Sequence, residues 1–247
     1  MHPSLYIFAL ISILIGYFEQ FIFVFILIFM HELGHFETAR LFGFNVDKIY
    51  LYPTGGISKF STEMNVSLFK DFLVLINGPL VQCIVYFLIM KFYPYHNSLF
   101  FLKNIHYSII CFNMLPIYPL DGGKLLNIIF NYFFSFKVSF KISIFISYTL
   151  LFLFSLVLFD YFKINYVFMI LFLLFKVTIE NYNSVYYFER FLLERYLYNY
   201  PFCKVKIINS LDQMKREYTH IVGENNNFCY EKEALNRKYL NKNKDFC

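Results

Sequence analysis

Two histidines and a glutamate, His31, His35 and Glu32, stand together in the run His31-Glu32-Leu33-Gly34-His35. On a helix, positions four apart lie one turn apart on the same face. The two imidazoles can therefore hold one metal ion. Glu32, beside the first of them, can take a proton from a water at that metal. Residues 21 to 30 (FIFVFILIFM) carry no charge. The three ionisable groups thus sit at membrane depth, where such groups are costly and mark functional sites. The competing reading is a pair of buried histidines satisfied by neighbouring polar groups.

A catalytic zinc takes three protein ligands and leaves one position open. The best third donor in the chain is Asp121, which lies in the run NMLPIYPLDGG, residues 113 to 123. Pro116 and Pro119 remove backbone donors there and hinder a helix. Irregular backbone at membrane depth is tolerated where it is buried in protein or lines a wet cavity. A metal and its water belong in such a place. Taken alone, Asp121 would serve equally well as the N-cap of a helix over 122–134.

The elements that must position these residues follow from composition. Of 247 residues, 58% are hydrophobic, 23% aromatic and only 16% charged. The mean hydropathy is +0.50. A soluble domain averages about 25% charged residues, so this is a multi-pass membrane protein. The net charge of +5 is spread over loops and the C-terminus, which reads as topology and not as nucleic-acid binding. Cys83, Cys111, Cys203, Cys229 and Cys247 form no CxxC pair and read as structural or incidental thiols. No signal-peptide cleavage site is evident, so the first apolar run is read as a retained span.

Apolar runs predict spans over 4–18, 20–42, 68–92, 98–118, 139–159 and 164–180, with a short interfacial helix over 122–134. Several are near the minimum of about 17 residues needed to cross a bilayer. Residues 43 to 62 hold Pro53, Gly55 and Gly56 between two short β-prone runs, the signature of a hairpin. Asn77-Gly78-Pro79 interrupts the third span and reads as a kink or a tight packing point. Most basic residues fall on one side together with the Lys-rich tail, which places both termini in the cytoplasm. Residues 181–199 read as an amphipathic helix. Beyond it, a strand (Lys204 to Ile208), a helix (Leu211 to Glu217), a strand (Tyr218 to Val222) and a turn are expected. The predicted fold class is a polytopic α-helical membrane protein of about six transmembrane helices, with a membrane-associated β-hairpin and a small α+β cytoplasmic tail.

HELGH followed about 85 residues later by NMLPIYPLDGG resembles the site-2 protease family of intramembrane zinc metalloproteases. The likeness is strongest to its bacterial sporulation branch, that of stage IV sporulation protein FB, and it covers roughly residues 5 to 180. The resemblance implies one zinc per chain, with His31, His35 and Asp121 as ligands and Glu32 as the base that activates water. It implies that Asn113 contacts substrate or the oxyanion; the competing reading is an amide that satisfies a helix end. Pro53-Thr54-Gly55-Gly56 resembles the hairpin loop that follows HExxH in this family, whose edge could pair with a substrate strand. Pro53, Gly55, Gly56, Pro116 and Pro119 are the candidate substrate-binding positions.

The organisation so implied is a membrane-embedded metalloprotease domain (1–180), an amphipathic linker helix (181–199) and a small cytoplasmic region (200–247). The last could hold at most a reduced CBS-like unit, which puts nucleotide sensing by the tail in doubt. The implied substrate is the membrane-associated precursor of a sporulation sigma factor, and inhibitory membrane proteins are possible partners. The alternatives are a site-2-type protease acting on an anti-sigma factor or signal-peptide remnant, and a non-proteolytic membrane protein that binds or transports metal. The sequence shows few polar residues across the spans beyond Asp71, His106 and Asp160, which disfavours transport. His106 and His220 are read as packing or surface residues.

Overall fold

The structure is a computed structural model and describes residues 3–44, 46–52, 55–60, 64–92, 99–159, 163–224 and 227–240. It is built from helices α1 (Pro3–Ile15), α2 (Phe18–Leu41), α3 (Leu68–Phe92), α4 (Leu99–Asn113), α5 (Asp121–Phe133), α6 (Phe136–Phe159), α7 (Ile164–Leu197) and α8 (Glu231–Leu240). Strands β1 (Val46–Tyr52) and β2 (Gly55–Phe60) form one sheet; β3 (Lys204–Ile208), β4 (Tyr218–Glu224) and β5 (Asn227–Tyr230) form another. Two compact units result: residues 1–62 with 69–114, and residues 63–68 with 115–247.

α2, α3, α6 and α7 are long and apolar enough to cross a bilayer, and the chain is a multi-pass membrane protein. Six spans are expected from the sequence; among the described residues four helices have the length. The first and fourth expected spans are helices of 13 and 15 residues, short of the roughly 20 that a crossing needs. Gly16, at φ 83°, ends α1 in the left-handed conformation that glycine adopts without strain. α4 stops at Asn113, five residues before its expected end, because Pro116 cannot continue a helix.

In the first unit, α2, α3 and α4 bury Leu27, Tyr86 and Leu102 against one another. The expected hairpin over 43–62 is present. β1 and β2 pair antiparallel, with Tyr52 opposite Gly55 and Val46 opposite Phe60.

In the second unit, α7 is one continuous helix of 34 residues, where the sequence reading separates a span from a linker. Polarity changes at Glu180, but no glycine or proline interrupts 164–197, so nothing stops the helix. Its last turns bury Phe191 and Leu192 against Ile208, Met214, Val222 and Leu235 of the tail. The tail sheet has β3 parallel to β4 and β4 antiparallel to β5. The helix expected over Leu211 to Glu217 is only a 3-10 turn, Leu211–Gln213. Met214 is already extended, at φ −63° and ψ 133°; beyond it Arg216 donates to the Val66 carbonyl and Glu217 has φ 61°. β5 and α8 escape sequence reading because their apolar pattern is thin: α8 buries Leu235 and few others.

Buried polar groups pin the tail to α7. The Arg195 guanidinium donates to Glu231 at 3.1 Å, to the Tyr218 carbonyl at 2.6 Å and to Asn65 Oδ1 at 2.6 Å. It stacks between Phe191 and Phe202 at 5.0 and 4.9 Å. Breaking such a buried pair on one side leaves a bare charge, which costs about 3–5 kcal/mol.

Candidate metal centre

HELGH lies in the later half of α2, and one face of that helix is buried at Leu27, His31, Gly34, His35, Thr38 and Ala39. The 3.6-residue period thus puts both imidazoles inward. Their rings meet edge to face with centroids 4.8 Å apart. The two Nε2 atoms are 3.2 Å apart.

The other nitrogen of each ring fixes its tautomer. His35 Nδ1 lies 2.8 Å from the Val74 carbonyl oxygen. A carbonyl only accepts, so Nδ1 carries the proton and Nε2 carries a lone pair. His31 Nδ1 lies 2.9 Å from Gln82 Oε1 and is protonated by the same argument. Two lone pairs therefore converge at 3.2 Å. That arrangement is repulsive unless a cation joins them, and imidazole Nε2 pairs of this kind suit zinc.

α3 supplies the support. Proline at position 79 lacks the N–H that would bind the Leu75 carbonyl, which loosens the turn whose Val74 carbonyl holds His35. A Cβ on Gly34 would meet the Asn77 carbonyl oxygen at 2.5 Å. A Cβ on Gly78 would meet the His35 ring at 2.3 Å. Asn77-Gly78-Pro79 is therefore the tight packing point expected of it, and it packs against HELGH itself. Asn77 Nδ2 also donates to Thr38 Oγ1 at 2.8 Å, one turn beyond His35 on the buried face.

Gln82 was not singled out by sequence reasoning. It is fully buried and its amide Nε2 lies 3.4 Å from the His106 carbonyl. His106 in turn stacks on Tyr86 with centroids 3.9 Å apart. His106 thus packs, as expected, but it packs behind the residue that orients His31. The missed signal was a glutamine inside an apolar span, a costly group that needs a partner.

Glu32 is half-buried on α2 beside His31, and Asn113 is the last residue of α4. In the second unit, Asp121 is 9% exposed. It does not cap α5. The helix begins at Asp121 itself, its N-cap is Leu120, and no side-chain cap bond is made. Lys124, one turn on, lies 3.7 Å from its carboxylate. The loop before Asp121 is set by two features. A Cβ on Gly123 would meet the Ile117 backbone at 2.4 Å, so only glycine fits there. The Tyr118 N–H donates to Ser147 Oγ at 2.8 Å.

Ser147 belongs to a ladder on α6. Ser135, Ser139, Ser143 and Ser147 are all buried, and the last three donate to the carbonyl four residues earlier. Ser143 Oγ accepts from Asn127 Nδ2 of α5 at 3.1 Å. Small hydroxyl residues at this spacing let helices approach closely and bond across the contact. The i, i+4 serine repeat was legible in the sequence and unread.

Gly55 and Gly56 open β2, and Pro116 lies half-buried after α4 with Pro119 just before α5. Pro53 and Thr54 lie outside the described residues, as does Cys247; Cys83, Cys111, Cys203 and Cys229 are free thiols.

The comparisons with known proteins agree on a class. Residues 20–108 match the sequence model of peptidase family M50. That span holds HELGH but not the run at 113–123. It is 33% identical over 135 residues to stage IV sporulation protein FB of Bacillus subtilis, covering 53% of this chain and 47% of that protein. It is 30% identical over 116 residues to a zinc metalloprotease of Methanocaldococcus jannaschii, covering 44% of this chain and 33% of that protein. The chain therefore spans less than half the length of these two relatives. Its fold matches that of the site-2 protease from Methanocaldococcus jannaschii with a TM-score of 0.56 and 25% identity, over 72% of this chain and 88% of the other.

Proposed function

We propose that this chain is an intramembrane zinc metalloprotease. In this reading His31, His35 and Asp121 hold the metal, Glu32 is the general base and Asn113 steadies the oxyanion. The observation that carries it is the convergence of two imidazole lone pairs, 3.2 Å apart, on the HExxH helix. Burial of all three donors supports it, as does the likeness to zinc metalloproteases.

His31, His35 and Asp121 would hold the zinc, which would supply a Lewis acid for the scissile carbonyl and lower the pKa of a bound water toward about 7. The protein does the rest. Gln82 and the Val74 carbonyl hold each Nδ1–H, so that both Nε2 atoms stay available. Glu32 accepts the proton of the attacking water and returns it to the leaving amine. The Asn113 amide donates to the oxygen that gains charge. An intact helix hides its carbonyls in its own hydrogen bonds, so the substrate must be extended where it is cut. Strand β2, opened by Gly55 and Gly56, offers a backbone edge for such a segment. Pro53, Pro116 and Pro119 are the other candidate substrate-binding positions in this reading.

The substrate in this reading is a membrane-associated precursor, specifically the pro-sequence of a sporulation sigma factor. The 33% identity to stage IV sporulation protein FB supports that choice. Both termini face the cytoplasm, where such a precursor is made, and membrane proteins restrain the enzyme until a signal arrives. The test is co-expression of this chain, or its Glu32→Gln form, with a tagged sigma-factor precursor from the same genome. Shortening of the precursor by the native form alone is expected. Shortening by both forms would remove Glu32 from the chemistry, and shortening by neither would discard the substrate.

A further inference from the structure

Every residue from Met64 to Leu68 is hydrogen-bonded to residues 191–217, all within the second unit. The Met64 N–H donates to the Glu194 carboxylate. The Asn65 amide donates to the Phe191 carbonyl and accepts from Arg195. The Val66 carbonyl accepts from Arg216. Ser67 Oγ and the Leu68 N–H both donate to Glu217 Oε1, at 2.8 and 2.9 Å. Leu68 is the first residue of α3, so its N–H is one of the four that a helix leaves without an internal partner. A carboxylate at that end is also favoured by the helix dipole. The tail thus caps α3 from 149 residues away.

Glu217 holds this place against its backbone preference. With φ at 61° it is the one non-glycine residue in the left-handed region among the described residues. Such a conformation is costly and persists where the surroundings enforce it. Here the enforcing contacts are the two bonds that Glu217 accepts from the start of α3 and the bond of Arg216, just before it, to Val66.

α3 begins at Leu68 in the second unit and continues through the first. Val74, six residues on from Leu68 and so about 9 Å along the helix, presents the carbonyl that holds the His35 Nδ1–H at 2.8 Å. Beyond it, Pro79 leaves the Leu75 carbonyl without its helical donor. The turn at Val74 therefore depends on its upstream anchor. We infer that Glu217 is a positioning residue for the metal centre: its cap on α3 sets the Val74 carbonyl against His35 and couples the tail to metal affinity. The inference rests on the reading of His31 and His35 as zinc ligands and extends it to a residue of the tail.

The test uses the full chain purified in an uncharged detergent. Zinc affinity is measured by chelator competition, and amide hydrogen exchange is followed in the zinc-free chain. Glycine adopts a φ near 61° without strain, so Glu217→Gly removes the cap and spares the turn. It should weaken zinc binding about tenfold, the low end for a ligand that loses its support. Exchange at the Phe72–Val74 amides, the first to bond within α3, should rise by roughly 5–30-fold, as for a lost cap. The β4 amides should stay within about twofold of native, because the tail keeps its own core. Glu217→Gln retains an oxygen that can accept from both donors, and its zinc affinity should return to within about threefold of native. Unchanged zinc affinity in Glu217→Gly would overturn the inference. So would loss of β4 protection in that variant, which would make Glu217 a residue of tail folding alone, or a Glu217→Gln form that binds zinc as weakly as Glu217→Gly. A native chain that takes up no zinc would overturn the metal reading itself, and this inference with it.

Discussion

A Cβ on Gly78 would lie 2.3 Å from Nε2 of His35, so the absence of a side chain on α3 makes room for the imidazole on α2. Gly78→Ala should push the ring out of line and strip the metal. Zinc per folded chain, measured after size exclusion, should fall well below one. A native zinc content would show that the ring does not need that space.

Gln82 orients His31 through a single 2.9 Å bond. Removing such a partner typically costs 10–100-fold in metal affinity. Gln82→Met keeps the bulk and loses the acceptor, and it should weaken zinc binding by about that much in a chelator competition. An unchanged affinity would take Gln82 out of the positioning of His31.

Asp121 and Asn113 should separate in their effects. Asp121→Ala should lower zinc content together with turnover. Asn113→Ala should keep zinc and lose roughly 10²–10³ in turnover, the usual cost of one oxyanion donor. Loss of metal in the Asn113 variant would contradict that role, and full zinc in the Asp121 variant would place the third ligand elsewhere.

Ser147→Ala removes the acceptor of the half-buried Tyr118 N–H. An orphaned donor of this kind costs about 1–3 kcal/mol. Ser155, on the same helix, is exposed and donates to the Phe152 carbonyl three residues earlier, and its replacement by alanine should stay within about 0.5 kcal/mol. Equal losses for the two variants in a denaturant titration would remove the Tyr118 bond as a support of the loop.

The tail should weaken in acid. Burial lowers the His220 imidazole from its ordinary 6.5. Its Nε2 accepts from the Lys215 N–H at 3.0 Å while Nδ1 faces Glu231, also at 3.0 Å, so a second proton would break a bond. Burial works against ionisation of Glu231, but the His220 hydrogen bond and the Arg195 charge outweigh it and hold its carboxyl below the ordinary 4.5. For both groups the unfolded chain binds protons first. Stability is therefore fully present above about pH 7, declines as pH falls through the His220 range, and declines again below the ordinary range of Glu231. Hydrogen exchange of the β4 amides, corrected for intrinsic rate, should be faster at pH 5.5 than at pH 7.5. Equal protection would refute the coupling.

The sequence made the chemistry legible because His31, Glu32 and His35 are ionisable groups in an apolar run, where their cost is visible without a structure. The hairpin was legible from Pro53, Gly55 and Gly56, and the Asn77-Gly78-Pro79 packing point from its glycine and proline. Gln82 was not, because its meaning lies in a partner 51 residues away. Ser135, Ser139, Ser143 and Ser147 were passed over because hydroxyls in an apolar run look neutral until a distant backbone N–H, such as that of Tyr118, bonds one. β5 was missed for a different reason: Phe228 and Tyr230 are 69% and 70% exposed while Cys229 between them is buried, so the large apolar residues do not mark the strand's buried face. The helix expected over Leu211 to Glu217 stops after Gln213 because Met214 is extended, at ψ 133°, and Glu217 takes a left-handed φ of 61°, neither of which the residue types announce.

α7 carries a mechanical consequence. A helix without a break from Ile164 to Leu197 acts as a rigid shaft, and Arg195 and Phe191 lock the tail to its far end. The helix that carries the tail is thus the same one that is long and apolar enough to cross the bilayer. One residue inserted near Tyr182, which is 86% exposed, would turn the tail by about 100° around that shaft and displace it by about 1.5 Å along it. The angular setting of the tail is thus encoded in the residue count of α7.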